Sequence, residues 1–248
     1  MTMQTMTGKV ALVTGGSRGI GAAIAHRLAA DGAAVAITYT KGREPAEAVV
    51  KAITDGGGRA IAIQADAADA EAVVRSVEET VAKLGRLDVL VNNAGIATTG
   101  AAADLPVAEF DRMFAINVRG LFVATQAALR HLPDGGRVIN IGSNVGDRAG
   151  FAGISAYAAT KGAVRMFTQG VAREVAERGI TVNTVAPGPI DTDMNPADGD
   201  FAALITAMIP RKRYGTVVEL AAMVAFVASP AASFVNGATL LVDGGMNA

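Results

Sequence analysis

The chain has no cysteine and only two histidines in 248 residues. That excludes disulfides, thiolate metal ligands and a cysteine nucleophile. His26 and His131 lie far apart in sequence and read as helix-surface residues, so neither a metal site nor a histidine triad is expected. Charged residues make up only 18% and the net charge is −1, so nothing suggests a nucleic-acid surface or an acidic tail. No apolar run approaches the ~18 residues that would span a bilayer. The opening MTMQTMTGKV lacks a basic segment followed by an apolar one, so no signal peptide is expected. These absences predict a soluble, cytoplasmic protein with neither nucleic acid nor membrane as a partner. Aromatic residues are also scarce, at 4%.

What the chain does have is apolar residues, 51% of it, with much Ala and Gly. Such a composition buries a large core and lets helices lie close on a sheet. Short apolar runs alternate with longer amphipathic ones. Strands are predicted at 9–14, 33–39, 59–66, 88–95, 137–143, 180–188 and 238–245. Helices are predicted at 19–32, 43–55, 69–84, 106–131, 154–178 and 217–229. The strands are nearly continuous apolar runs, as expected where both faces are covered. The alternation predicts one doubly wound α/β domain over 1–248, with about seven parallel strands flanked by helices. Residues 1–7 read as a loose N-terminus. The stretch 189–213 is polar and irregular, and a loop that long is expected to shape a substrate site.

Ligands of such folds bind beyond the carboxyl ends of the strands. The first strand runs into Thr14-Gly15-Gly16-Ser17-Arg18-Gly19-Ile20-Gly21. Glycines there permit a tight turn, and the helix start supplies free N–H donors for a pyrophosphate. The wider spacing of this turn should free Ser17 and Arg18 to reach a ribose phosphate. At the second strand end stand Tyr39, Thr40 and Lys41, with no acid before Glu44. An acid would bond a ribose 2′-hydroxyl and repel a 2′-phosphate, so the positive charge here favours NADP(H) over NAD. Asp66, closing the third strand, could accept from an adenine amino group. Asn93, Ala94 and Gly95 form a small wall at the end of the fourth.

In SAYAATKGAV (155–164), Tyr157 and Lys161 are four apart and share a helix face. A positive charge beside a phenol favours the phenolate and brings its proton within reach of neutral-pH chemistry. The plain alternative is a core tyrosine and a lysine reaching solvent. Ser143 lies just beyond the fifth strand, where its hydroxyl could hold a carbonyl or alcohol oxygen. Asn117 sits mid-helix, where asparagine is a poor helix former. It could bond a water or a carbonyl and link Lys161 to solvent, or simply be an exposed helix residue.

The order T-G-x3-G-x-G, N-N-A-G, mid-helix Asn, Ser, Y-x3-K and a P-G turn resembles the short-chain dehydrogenase/reductase family over about residues 8–246. The resemblance implies a Rossmann fold in which Tyr157 is the acid/base and Lys161 lowers its pKa and binds the nicotinamide ribose. Ser143 would orient the substrate oxygen and Asn117 would complete a proton relay. Gly15, Ser17, Arg18, Ile20 and Gly21 would line the pyrophosphate and adenosine ribose. Tyr39, Thr40 and Lys41 would lie by the same ribose, Asp66 and Ala67 by the adenine, and Asn93 to Gly95 beside them. Pro187, Gly188, Ile190 and Thr192 would hold the carboxamide side. A homotetramer is implied, with helices 106–131 and 154–178 at one interface and the C-terminal strand and helix at another.

The segments 172–194 and LVDGGM (241–246) are most similar to the bacterial 3-oxoacyl-(acyl-carrier-protein) reductase branch. The stretch 96–106 and the strand ending IGS differ from that branch, and GDRAGF is similar to reductases of small ketones and aldehydes. The expected activity is therefore NADPH-dependent reduction of a ketone or aldehyde, a 3-oxoacyl thioester or a small carbonyl compound. The alternatives are a non-catalytic nucleotide-binding regulator on the same fold and an NAD-dependent alcohol dehydrogenase; a few similar bacterial proteins are described as binding cyclic dinucleotides.

Overall fold

The computed structural model describes residues 6–248. Seven strands form one parallel sheet: β1 (Val10–Val13), β2 (Ala34–Tyr39), β3 (Arg59–Gln64), β4 (Val89–Asn92), β5 (Arg137–Ile141), β6 (Thr181–Pro187) and β7 (Thr239–Val242). Their spatial order is β3-β2-β1-β4-β5-β6-β7. The order in which strands are added reverses between β1 and β4, and that switch point opens a crevice at their carboxyl ends.

Two helical layers cover the sheet. On one face lie α1 (Gly19–Ala30), α2 (Arg43–Asp55) and α8 (Val217–Ala228), whose Ile24, Leu28, Val49, Leu220 and Val224 share one core cluster with Ala11 and Val13 of β1. On the other lie α3 (Ala70–Leu84), α5 (Leu121–Leu129) and α6 (Ser155–Glu174), whose Val73, Val77, Ala124 and Val171 share a second core cluster with Val10 and Leu12. Successive residues of one strand thus feed opposite cores. This is why the strands read as unbroken apolar runs.

The structure revises three local expectations. The predicted single helix over 106–131 is divided into α4 (Val107–Phe114), a π-helical segment (Ala115–Gly120) and α5. A π turn inserts a residue into the helical register, and such turns gather at functional sites. The predicted irregular stretch 189–213 contains α7 (Ala202–Met208), closed by a small cluster of Ala202, Ile209 and Tyr214. Of the expected loose segment 1–7, residues 1–5 lie outside the described residues, and Met6 is not loose. It is 2% exposed and its amide donates to the Asp31 carbonyl.

Candidate active site

The turn after β1 is locked to the end of β4. Thr14 Oγ1 accepts from the amides of Asn93 and Ala94, both at 3.0 Å. In return Asn93 Nδ2 donates to the Thr14 and Gly15 carbonyls at 2.9 and 3.0 Å. Thr38 Oγ1 accepts from the Gly15 amide at 3.0 Å. Gly15 has φ +64°, and a Cβ there would come 3.0 Å from Ala94 Cα. A Cβ on Gly21 would come 2.3 Å from the Gly15 carbonyl oxygen, so nothing larger fits. Thr14 and Thr38 therefore build the turn, a role that their place at strand ends alone does not reveal.

The start of α1 is left bare. Its N-cap, Arg18, makes no side-chain capping bond, and no acid stands in the first turn. The free amides and the positive end of the helix dipole fit the phosphates of a dinucleotide. Ser17 is half-buried, Arg18, Thr40, Lys41 and Asp66 are exposed, and Ile20 packs on the core. Asp66 Oδ1 accepts from the Ala68 amide at 2.9 Å. Tyr39 departs from expectation. It is 6% exposed within the core, so its side chain is not offered to a ribose. Ala67 lies against the π segment, where a Cβ on Gly120 would come 2.3 Å from its carbonyl oxygen.

The loop after β6 folds back over this turn. The Gly188 amide donates to the Val242 carbonyl, and Pro187 ends β6 in the buried sheet. Ile190 is buried and pairs with Gly215. The Thr192 methyl would lie 3.6 Å from a Cβ on Gly19. Arg18 and Asp193 approach to 3.9 Å, but both are largely exposed, so solvent screens that pair.

Tyr157 and Lys161 stand on α6, with Ser143 just past β5. Lys161 Nζ lies 5.7 Å from the Tyr157 ring centroid. It donates to the Ile141 carbonyl at 2.9 Å, and with that single partner it keeps donors in reserve. Burial pulls the lysine down to about 8. Tyr157 as a whole is half-buried, yet its hydroxyl is closely surrounded, and burial pushes it up to about 12. A hydrogen bond from Ser143 acts in the opposite direction. In the protein alone, burial thus outweighs the expected lowering of the phenol by its lysine.

Asn117 is 2% exposed, not a surface residue. Its Oδ1 accepts from the Ile96 amide at 2.9 Å. Its Nδ2 donates to the Ile96 carbonyl at 2.8 Å and to Thr160 Oγ1 at 3.1 Å. Both amide hydrogens are spent, so its side chain has none left to hand to a water. Instead it joins the π segment, the loop after β4 and α6. A Cβ on Gly95 would come 3.3 Å from Asn117 Oδ1 and 3.7 Å from Lys161 Nζ, which places all three residues together. His26 is exposed, and His131 lies 3.0 Å from Glu78.

Comparison with known proteins agrees with this geometry. The family described as Enoyl-(Acyl carrier protein) reductase matches residues 15–247. The chain is 45% identical over 246 residues to the cyclic-di-GMP-binding biofilm dispersal mediator protein of Escherichia coli, covering 99% of this chain and 100% of the relative. It is 43% identical over 247 residues to a 3-oxoacyl-[acyl-carrier-protein] reductase of Synechocystis, covering 98% and 99%. A short chain dehydrogenase from Burkholderia cenocepacia, solved in complex with NADP, superposes with a TM-score of 0.97 at 53% identity, covering 98% of this chain and 100% of that one.

Proposed function

Because the chain belongs to the short-chain dehydrogenase/reductase family, we propose that it is an NADP(H)-dependent oxidoreductase working as a carbonyl reductase. The observation that carries the reading is the Ser143–Tyr157–Lys161 group at the edge of the crevice. The residues around the first turn fit the dinucleotide, as the bare start of α1 and the crowding at Gly21 indicate. When bound, NADPH supplies the hydride to the carbonyl carbon. Ser143 holds the carbonyl oxygen by its hydroxyl. Tyr157 donates the phenolic proton to that oxygen as its charge develops. Lys161, protonated below about 8, uses its spare donors on the ribose and favours the phenolate that remains. Asn117 positions Lys161 through Thr160 and Ile96. Arg18 and Lys41 supply charge for the 2′-phosphate.

The proposed substrates are 3-oxoacyl thioesters or small ketones and aldehydes, which the segments 96–106 and 189–213 would enclose. The proposed assembly is a homotetramer. Val107, Phe110, Phe122 and Met166 are exposed on the first pair of predicted interface helices, and Phe226, Phe234 and Leu241 on the C-terminal face. Among the described residues, no helix is long and apolar enough to cross a membrane.

A second reading, a nucleotide-binding regulator without turnover, draws on the Escherichia coli relative described as binding cyclic-di-GMP. Depletion of NADPH over a panel of acetoacetyl thioesters, ketones, aldehydes and diketones separates the two. Turnover is expected, and Tyr157→Phe should lower it by about 10³-fold while NADPH still binds. Full activity in that variant sinks the mechanism. No turnover on the panel, with tight cyclic-di-GMP binding, favours the regulator.

A further inference from the structure

Asn247 stands one residue from the end of the chain, yet it reaches the catalytic edge. Its Nδ2 donates to the Asn144 carbonyl at 2.7 Å, and its Oδ1 accepts from Asn144 Nδ2 at 3.4 Å. Asn144 is 5% exposed and directly follows Ser143. Asn144 Oδ1 in turn accepts from Ser143 Oγ at 3.5 Å. Ser143 Oγ accepts from the Val145 amide at 3.4 Å. Both bonds that the serine hydroxyl makes within its turn are long, so the turn itself holds it weakly. The short, firm bond in this chain is the one that Asn247 makes to Asn144.

The tail is itself built to hold that asparagine. Asp243 takes the Gly245 amide on one oxygen and the Asn247 amide on the other, at 2.9 and 3.0 Å. Met246 packs on the Ala202, Ile209 and Tyr214 cluster beside α7. The Arg211 amide donates to the Gly244 carbonyl at 3.3 Å. The tail therefore touches the substrate segment with one side and the serine turn with the other.

We propose that Asn247 is a positioning residue, which through Asn144 sets the Ser143 hydroxyl against the Tyr157 phenol and ties that setting to the seating of segment 202–211. The inference rests on the proposed roles of Ser143 and Tyr157. Without the clamp, the serine turn is free to shift and the substrate oxygen loses its alignment. Misplacements of about 1 Å can cost up to 10²-fold in rate, and this indirect one is expected to cost about tenfold.

The test compares wild type with N247A, N247Q, S143A, Y157F and the double variant N247A/S143A. Substrate is a carbonyl that the wild type reduces. N247A should lower kcat about tenfold, with KM and NADPH affinity within about twofold. In alcohol oxidation its acid limb should move to higher pH, because a displaced Ser143 no longer lowers the phenol. N247Q, which keeps both donor and acceptor, should recover part of the loss. N247A should add nothing in the S143A background, since it acts through that serine. Hydrogen exchange at the Val145 amide gives a reading free of turnover, and N247A should speed it. If S143A and Y157F lose activity while N247A keeps its kcat, its pH limb and slow Val145 exchange, the clamp is overturned. It is equally overturned if N247A costs the same in both backgrounds with no movement of the limb, the mark of a general structural role. Full activity in Y157F and S143A instead overturns the catalytic assignment beneath it.

Discussion

Two helix starts in this molecule are treated in opposite ways. At α8, Thr216 Oγ1 accepts from the Glu219 amide at 3.2 Å, and the Glu219 carboxylate accepts from the Thr216 amide at 2.8 Å. Arg213 adds a two-pronged contact to the same carboxylate, at 2.9 and 2.6 Å. At α1 the N-cap is an arginine with no capping bond, and the amides are left over. A full capping box stabilises a joint. A bare, positive helix start forgoes about 1 kcal/mol and keeps its donors for an anion. Unspent hydrogen-bonding capacity thus marks the functional end. The same holds for Lys161, whose one visible partner is a carbonyl.

Reversing the two starts breaks or sharpens this contrast. Arg18→Asp gives α1 a cap and an acid. NADPH affinity should fall on the order of 10–100-fold, about 1.4–2.8 kcal/mol, while the cofactor-free protein melts no lower. Unchanged affinity by titration calorimetry would show that the bare start is not the phosphate site. Thr216→Ala removes the cap from α8. It should cost about 1 kcal/mol in denaturant melts and leave NADPH affinity alone. The smallest effect is one of pH. The hydrogen bond from Arg213, with that from Thr216, holds Glu219 down to about 2 from an ordinary 4.5. A carboxyl lowered in the folded state contributes stability that is full above about 4.5 and fades as pH falls toward 2. Because the pair is exposed, the effect is modest. Melts from pH 6 to 3 should show a shallower decline in Glu219→Gln than in wild type, and parallel curves would remove the argument.

Much of the fold was readable from local pattern. The apolar runs placed all seven strands, because a strand buried on both faces must be apolar throughout. The Gly15–Gly21 turn was readable because only glycine tolerates the crowding at Gly21. Tyr157 and Lys161 were readable because helical spacing alone puts them on one face. Less readable was the register inside 106–131. The π segment carries Asn117, which is bonded to Ile96 in another part of the chain. Helix α7 was hidden as well, since a seven-residue helix held by a three-residue cluster leaves little periodic signal.

By itself, then, the sequence determined the parallel α/β layers, the phosphate turn and the spacing of the phenol and amine. Each follows from sterics or from the period of a single element. Only the tertiary structure decided that Tyr39 faces the core, that Asn117 spends its amide on Ile96 and Thr160, and that Asn247 grips Asn144 across 103 residues. Those outcomes depend on which distant segments the packed sheet brings within hydrogen-bond reach, and no local pattern encodes that.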